Sequence, residues 1–189
     1  MTSASACGKA ILLGEHAVVY GRPAIAVPVS DVRAHAEVVD APEGSGVLLV
    51  AQDLNEVYRL EAEDGSDTAC ALRVTVRNTL ARLGVPLELA ALRITVSSQI
   101  PIARGLGSGT ALATALVRAL AAHYGACLAA SEVSELGYQT EKVFHGTPSG
   151  VDNTVVAYEK PLYFSQGAQA DTFSLARPFT LVIADTGVP

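Results

Sequence analysis

The sequence predicts an α+β domain, with strands leading and helices following over a shared core. Three observations carry this. Apolar residues fill half of the 189 positions, enough for a real core in a chain of this length. The segments before residue 60 read mainly as strands and those after Asp67 mainly as helices. No internal repeat, low-complexity tract or long linker divides the chain, so one α+β layer accommodates both kinds of element.

Between residues 9 and 39, "AILL", "AVVY", "AIAV" and "AHAEVV" are rich in Val, Ile and Ala and are punctuated by Gly14, Gly21, Pro23 and Pro28, the pattern of successive strands. "APEGSG" is a turn cluster and "VLLVA" resumes a strand. From Asp67, Leu72, Val76, Leu80 and Leu83 recur at helical spacing, with Asp67 as N-cap and Gly84 beyond the end. "LRITVSS" alternates as a half-buried strand. A helix over 108–124 follows, apolar on nearly every face. A second helix runs from Ser131 toward Phe144, with only a weak cap at Ser131, and a short one covers Val151 to Tyr158. "LYF" and "FTLVIAD" close the chain as strands.

The net charge of -6, with thirteen scattered Lys and Arg residues, argues against nucleic acid as a partner. The longest apolar stretch, 105–125, is bounded and broken by Arg104, Arg118 and His123, so a membrane span is not expected. Cys7, Cys70 and Cys127 have neither disulfide-framework nor zinc spacing, and no signal-peptide pattern opens the sequence, which fits a reducing cytosol.

Three stretches have the residue types of a reactive site. In "IPIARGLGSGTALATALVRALAAHYG", a glycine-rich loop joins a strand to a helix. Gly105, Gly107 and Gly109 let backbone approach a ligand, and the unpaired N–H groups of the helix start suit phosphate oxygens. The spacing is neither GxxxxGK[ST] nor GxGxxG, and the same glycines also suit close helix packing. In "EKVFHGTPSGVDN", a helix end and a tight turn separate Glu141 from Asp152, so two carboxylates can converge, one on Mg²⁺ and one on a proton. Equally, Glu141 suits a solvated helix face and Asp152 a helix cap. In "GKAILLGEHAVVYG", Lys9 opens a strand and Glu15 and His16 interrupt it. A surface lysine and a structural histidine would give the same pattern.

Taken together and in this order, the three stretches resemble the N-terminal motif, phosphate loop and catalytic-aspartate motif of the GHMP kinase superfamily. Within it they are similar to the mevalonate kinases more than to galactokinases, homoserine kinases or phosphomevalonate kinases. The similarity continues to "LVIADTGVP" at residues 181–189. The resemblance implies a ribosomal-protein-like two-layer domain with a left-handed βαβ phosphate-binding unit. It also implies a separate C-terminal domain, expected beyond Pro189, which would cover residues 1–189; without that cover, self-association is expected.

The activity implied is transfer of the γ-phosphoryl group of ATP to the C5 hydroxyl of mevalonate, with Mg²⁺, in the cytoplasm. Phosphomevalonate kinase or diphosphomevalonate decarboxylase chemistry, or ligand binding without turnover, stay open. By the same resemblance, Ser98, Ala103, Arg104, Gly105, Leu106, Gly107, Ser108 and Gly109 would hold nucleotide, and Glu141 and Ser108 would hold Mg²⁺. Asp152, paired with Lys9, would take the alcohol proton, while Glu15 and His16 would face mevalonate. Two departures stand out. The family loop usually reads GLGSSAA, whereas Gly109 and Thr110 replace its second Ser and first Ala here, so Ser108, Thr110 or water would supply the metal's hydroxyl oxygen. Cys7 replaces a more usual Pro, a change expected to alter the turn before Lys9 more than the chemistry.

Overall fold

The computed structural model describes residues 1–62, 66–178 and 180–184. Its strands are β1 (Thr2–Leu13), β2 (Ala24–Asp40), β3 (Val47–Ala51), β4 (Glu56–Arg59), β5 (Leu92–Ser98), β6 (Leu162–Phe164) and β7 (Asp171–Thr172). Its helices are α1 (Asp67–Leu83), α2 (Ser108–His123), α3 (Ala130–His145) and α4 (Val151–Tyr158). The strands form one mixed sheet, ordered β4-β3-β5-β2-β6-β7, with β1 on the other edge of β2. Among the described residues only β3 and β5 pair in parallel, and α1 lies in the connection between them. The expected α+β class is therefore the class observed.

β2 organises the sheet because its two halves have different neighbours. Residues 34–40 pair with β5, and 24–26 with β6. Between the halves, the register with β1 slips, so that Cys7 faces Arg33 while Gly8 faces Val29. Such a bulge breaks side-chain alternation and re-aims the residues beside it. Here Ala6, Cys7, Gly8 and Lys9 are buried in succession. The chain around Cys7 is thus bulged strand, not the turn expected there. Burial first, and Glu159 second, push the Cys7 thiol up to about 11, so it packs as a small apolar group.

α2 lies on β1 and β2, α4 shares that face, and α3 packs on α1, α2 and α4. Ten residues of α2 are buried, from Thr110 to Ala121, which explains its unbroken apolar character. Small Ala side chains at 111, 115 and 119 allow close approach, while Leu116 and Leu120, fully enclosed, each contribute about 1.5–3 kcal/mol.

Several local expectations need correction. "AVVY" is a 3-10 turn (Ala17–Tyr20), because Gly14 (φ 89°) and Gly21 (φ 73°) bend the chain at both ends and the Val18 and Gly21 N–H groups close on the Gly14 and Val18 carbonyls at 2.9 and 3.1 Å. Ser66, not Asp67, caps α1, its hydroxyl accepting the Ala69 N–H at 3.3 Å. α3 begins at Ala130, earlier than Ser131, because the Glu132 carboxylate reaches back to the Ala129 N–H at 2.8 Å. No strand forms over residues 180–184, which are exposed and pair with no described strand. Phe179 and residues 185–189 of the closing stretch, with most of "ADTGVP", lie outside the described residues. No described helix is long and apolar enough to cross a membrane.

At the opposite end of α4 from Asp152, Glu159 fastens four elements. It follows α4 in a left-handed conformation (φ 49°) and accepts from Arg33 at 2.9 Å and Arg118 at 2.6 Å. Arg118 also donates to the carbonyls of Ser5 and Ala157, and Arg33 to the Ser5 hydroxyl. Burial pushes the Glu159 carboxyl up, but the two guanidinium groups outweigh it and hold it below the usual carboxylate range. Its stabilisation is complete above the unfolded value and is lost as pH falls through the depressed folded one. Glu159→Gln should therefore cost about 1–2 kcal/mol at pH 7 in urea unfolding. The gap to wild type should close in acid, and a gap unchanged by pH would contradict this account.

Candidate active site

Two cavities meet where they share lining residues. The larger, about 550 Å³, is floored by Ala51, Asp53 and Val96, walled by α1 and the end of α3, and roofed by residues 102–110. The smaller, about 370 Å³, lies between Ile11, Glu15, Val18 and Val19 on one side and Thr147–Asn153 on the other. Four side chains line both: Lys9, Glu141, His145 and Asp152.

Lys9 reaches this junction because of the bulge in β1. Its ammonium lies 2.8 Å from Asp152 Oδ2, and the residue is 6% exposed. A lysine so buried must be paired, since an isolated buried charge is costly. The loop before α2 holds it from behind. The Lys9 N–H donates to the Leu106 carbonyl at 3.0 Å, and the aliphatic stem runs over Gly107. A Cβ at Gly107 would stand 2.8 Å from Lys9 Cγ, and the backbone there has φ 73°. Gly107 is therefore required twice, by conformation and by space.

Asp152 sits in the first turn of α4, after Gly150, which supplies the left-handed start at φ 90°. Neighbouring Asn153 sets the helix against α3. Its amide donates to the Ser134 carbonyl and hydroxyl, both at 2.9 Å, and its Cβ packs where Gly137 has no side chain. Glu141, one turn from the end of α3, is 5% exposed and accepts the Thr110 hydroxyl. Burial pushes its carboxyl up and Thr110 partly restores it, while Asp152 raises it further. A desolvated carboxylate of this kind favours a cation.

The loop itself is tightly curved. Ala103 (φ 57°), Gly105 (φ 71°) and Gly107 are all left-handed, and α2 starts at Ser108 with the unpaired N–H groups of its first turn toward the larger cavity. Ser98, Ala103, Arg104, Gly105, Leu106, Gly107, Ser108 and Gly109 all line that cavity. The Ser98 N–H is held by the Asp53 carboxylate and its hydroxyl accepts from Ile100, which fixes the loop's departure from β5. Glu15 lines the smaller cavity. His16 does not, standing exposed at the start of the 3-10 turn.

Among the described residues no three His, Cys, Asp or Glu side chains cluster as a metal cage. Mg²⁺ does not need one, because it commonly takes one or two carboxylates plus substrate phosphates. Glu141 with the Thr110 hydroxyl fits that requirement, and it is Thr110, rather than Ser108, that meets the carboxylate. Sequence reasoning did not single out Asp53 or His145. His145 had a signal, since it lies one helical turn after Glu141.

The molecule is thus an α+β domain in which a glycine loop feeds a helix start beside a paired lysine and aspartate. The chain matches the GHMP kinases N terminal domain over residues 55–160 and belongs to that family. It is 32% identical over 175 residues to the mevalonate kinase of Pyrococcus furiosus, covering 87% of this chain and 52% of that one. Against the mevalonate kinase of Aeropyrum pernix it is 32% identical over 192 residues, covering 98% and 57%. The solved mevalonate kinase of Methanococcus jannaschii superposes with a TM-score of 0.79 at 27% identity, over 91% of this chain and 55% of that one. The chain thus spans about half the length of the curated relatives it matches.

The packing of Lys9 on Gly107 separates two glycines of similar backbone. Gly105→Ala meets nothing within 4 Å and should cost only the left-handed penalty, roughly 1–2 kcal/mol. Gly107→Ala adds a clash with Lys9 and should cost clearly more in urea unfolding, and it should also loosen the Lys9–Asp152 contact in a crystal structure. Equal costs would contradict the close packing.

Proposed function

We propose that this chain carries the phosphate loop and acceptor-activating residues of an ATP-dependent kinase that phosphorylates the C5 hydroxyl of mevalonate. The observation that carries the reading is the Lys9–Asp152 pair at the wall shared by two cavities. One side of that wall is built for phosphate, and the other has room for a small acceptor. The similarity to mevalonate kinases supports mevalonate as that acceptor, and the full protein's activity is part of this proposal.

In this reading residues 103–109 and the start of α2 wrap the triphosphate and supply N–H donors to its oxygens. Phosphoryl transfer asks mainly for positioning and charge stabilisation. Asp152 accepts the acceptor's proton, while the Lys9 ammonium 2.8 Å away favours the developing alkoxide. Glu141, oriented by Thr110, would hold Mg²⁺, which neutralises phosphate charge when bound. Glu15, which lines the smaller cavity, would face the polar groups of the acceptor. His16, the next residue, is exposed at the start of the 3-10 turn and would face the same acceptor groups.

Asp152→Asn tests the assignment. In the active enzyme kcat should fall by ~10²–10⁴ while ATP affinity stays within a few fold, since the carboxylate acts on the acceptor. Activity kept within tenfold of wild type would overturn it. Product identification with mevalonate, phosphomevalonate and diphosphomevalonate would show whether a related acceptor is used instead.

A further inference from the structure

Of the four side chains common to both cavities, the reaction proposed above uses Lys9, Glu141 and Asp152 and leaves His145 without a role. His145 is the last residue of α3, one turn beyond Glu141. Its Nε2 lies 3.6 Å from Glu141 Oε2, too far for a hydrogen bond, and 64% of its side chain is exposed. The backbone beneath it is fixed, because Gly146 turns away at φ 62° and the Thr147 N–H closes on the His145 carbonyl at 2.6 Å. The ring is therefore anchored at its base and open to both cavities at its tip.

The charges at the junction show what such a ring can do. Glu141 and Asp152 present only acceptor oxygens when ionised, and the Thr110 hydroxyl is spent on Glu141. Lys9 arrives from β1 and is engaged by Asp152. A phosphoryl group crossing here spreads negative charge over three equatorial oxygens; Mg²⁺ at Glu141 would meet part of that charge, and among the α3 side chains lining the cavities His145 is the one that carries a further N–H donor. We propose that His145 donates a ring N–H to a non-bridging oxygen of the phosphoryl group as it passes from the larger cavity to the smaller. In that step the bond from phosphorus to the leaving oxygen of ADP breaks and the bond to the acceptor oxygen forms. The acceptor's proton goes to Asp152, and His145 neither gains nor loses one. This inference rests on the two cavities being the donor and acceptor sites of a kinase.

The test compares wild type, His145→Leu and His145→Gln, the last of which keeps an N–H donor. It measures kcat, both KM values, and affinity for ADP with aluminium fluoride in the presence of mevalonate, a mimic of the group in flight. His145→Leu should lower kcat about tenfold, less than the ~10²–10³ of an enclosed donor because the ring is exposed, with both KM values within threefold. It should weaken the aluminium fluoride complex by a similar factor while leaving ADP affinity unchanged, and His145→Gln should recover most of both losses. A leucine variant with wild-type kcat would overturn the inference. So would a loss confined to the nucleotide KM, the result expected if His145 only supports Glu141. Wild-type protein that binds ADP but neither phosphorylates mevalonate nor forms the aluminium fluoride complex would overturn the underlying functional reading, and that result appears before any variant is made.

Discussion

The structure turns on one buried ammonium. Lys9 is held in place at three points along its length, by its backbone on Leu106, its stem on Gly107 and its head on Asp152. Those contacts join β1, the loop before α2, and α4, three segments that are distant in sequence. Because an unpaired buried charge is so costly, the lysine cannot be placed unless the aspartate is placed too. The same requirement that closes the fold therefore assembles the two groups that would act on an acceptor hydroxyl.

The carboxylates are positioned by a second set of contacts, between α3 and α4. Asn153 grips Ser134, Gly137 leaves room for it, and Thr154 donates to the Gly150 carbonyl at 2.6 Å. Ser134 and Thr154 also share a hydroxyl contact at 3.2 Å. Asp152 and Glu141 are thus carried on two helices locked to each other. Thr110 ties Glu141 to α2, whose first turn faces the larger cavity, and on the far side Glu159 pins the other end of α4 to β1, β2 and α2. The start of α2 and two carboxylates are consequently referenced to one rigid frame, which is the condition for catalysis by positioning.

Much of this was legible in the sequence, and for identifiable reasons. Helical spacing exposed α1, the uniform apolarity of α2 foretold its burial, the apolar run after a turn cluster located β3, and alternation located β5. The glycine loop and the two carboxylates announced themselves by residue type, and the family resemblance assembled them into one site. Features set by tertiary structure did not show. The slip between Cys7 and Gly8, which aims Lys9 inward, depends on how β1 meets β2 and leaves no pattern in either. β4 and β7 are too short to have a period. "AVVY" has strand composition, but two left-handed glycines make it a turn, and that turn leaves His16 in solvent while Glu15 reaches the smaller cavity. The partnership of Thr110 with Glu141 crosses thirty-one residues, so composition could only offer Thr110 as one of several hydroxyls.

The central claim is spatial: donor and acceptor occupy separate cavities that meet at Lys9 and Asp152. A crystal structure with a non-hydrolysable ATP analogue, Mg²⁺ and mevalonate tests it most directly. The account predicts the triphosphate along residues 103–109 with its terminal phosphate at the junction, and the C5 hydroxyl of mevalonate within hydrogen-bond reach of Asp152 from the smaller cavity. A triphosphate lying away from the loop, or a hydroxyl whose nearest carboxylate is not Asp152, would contradict it.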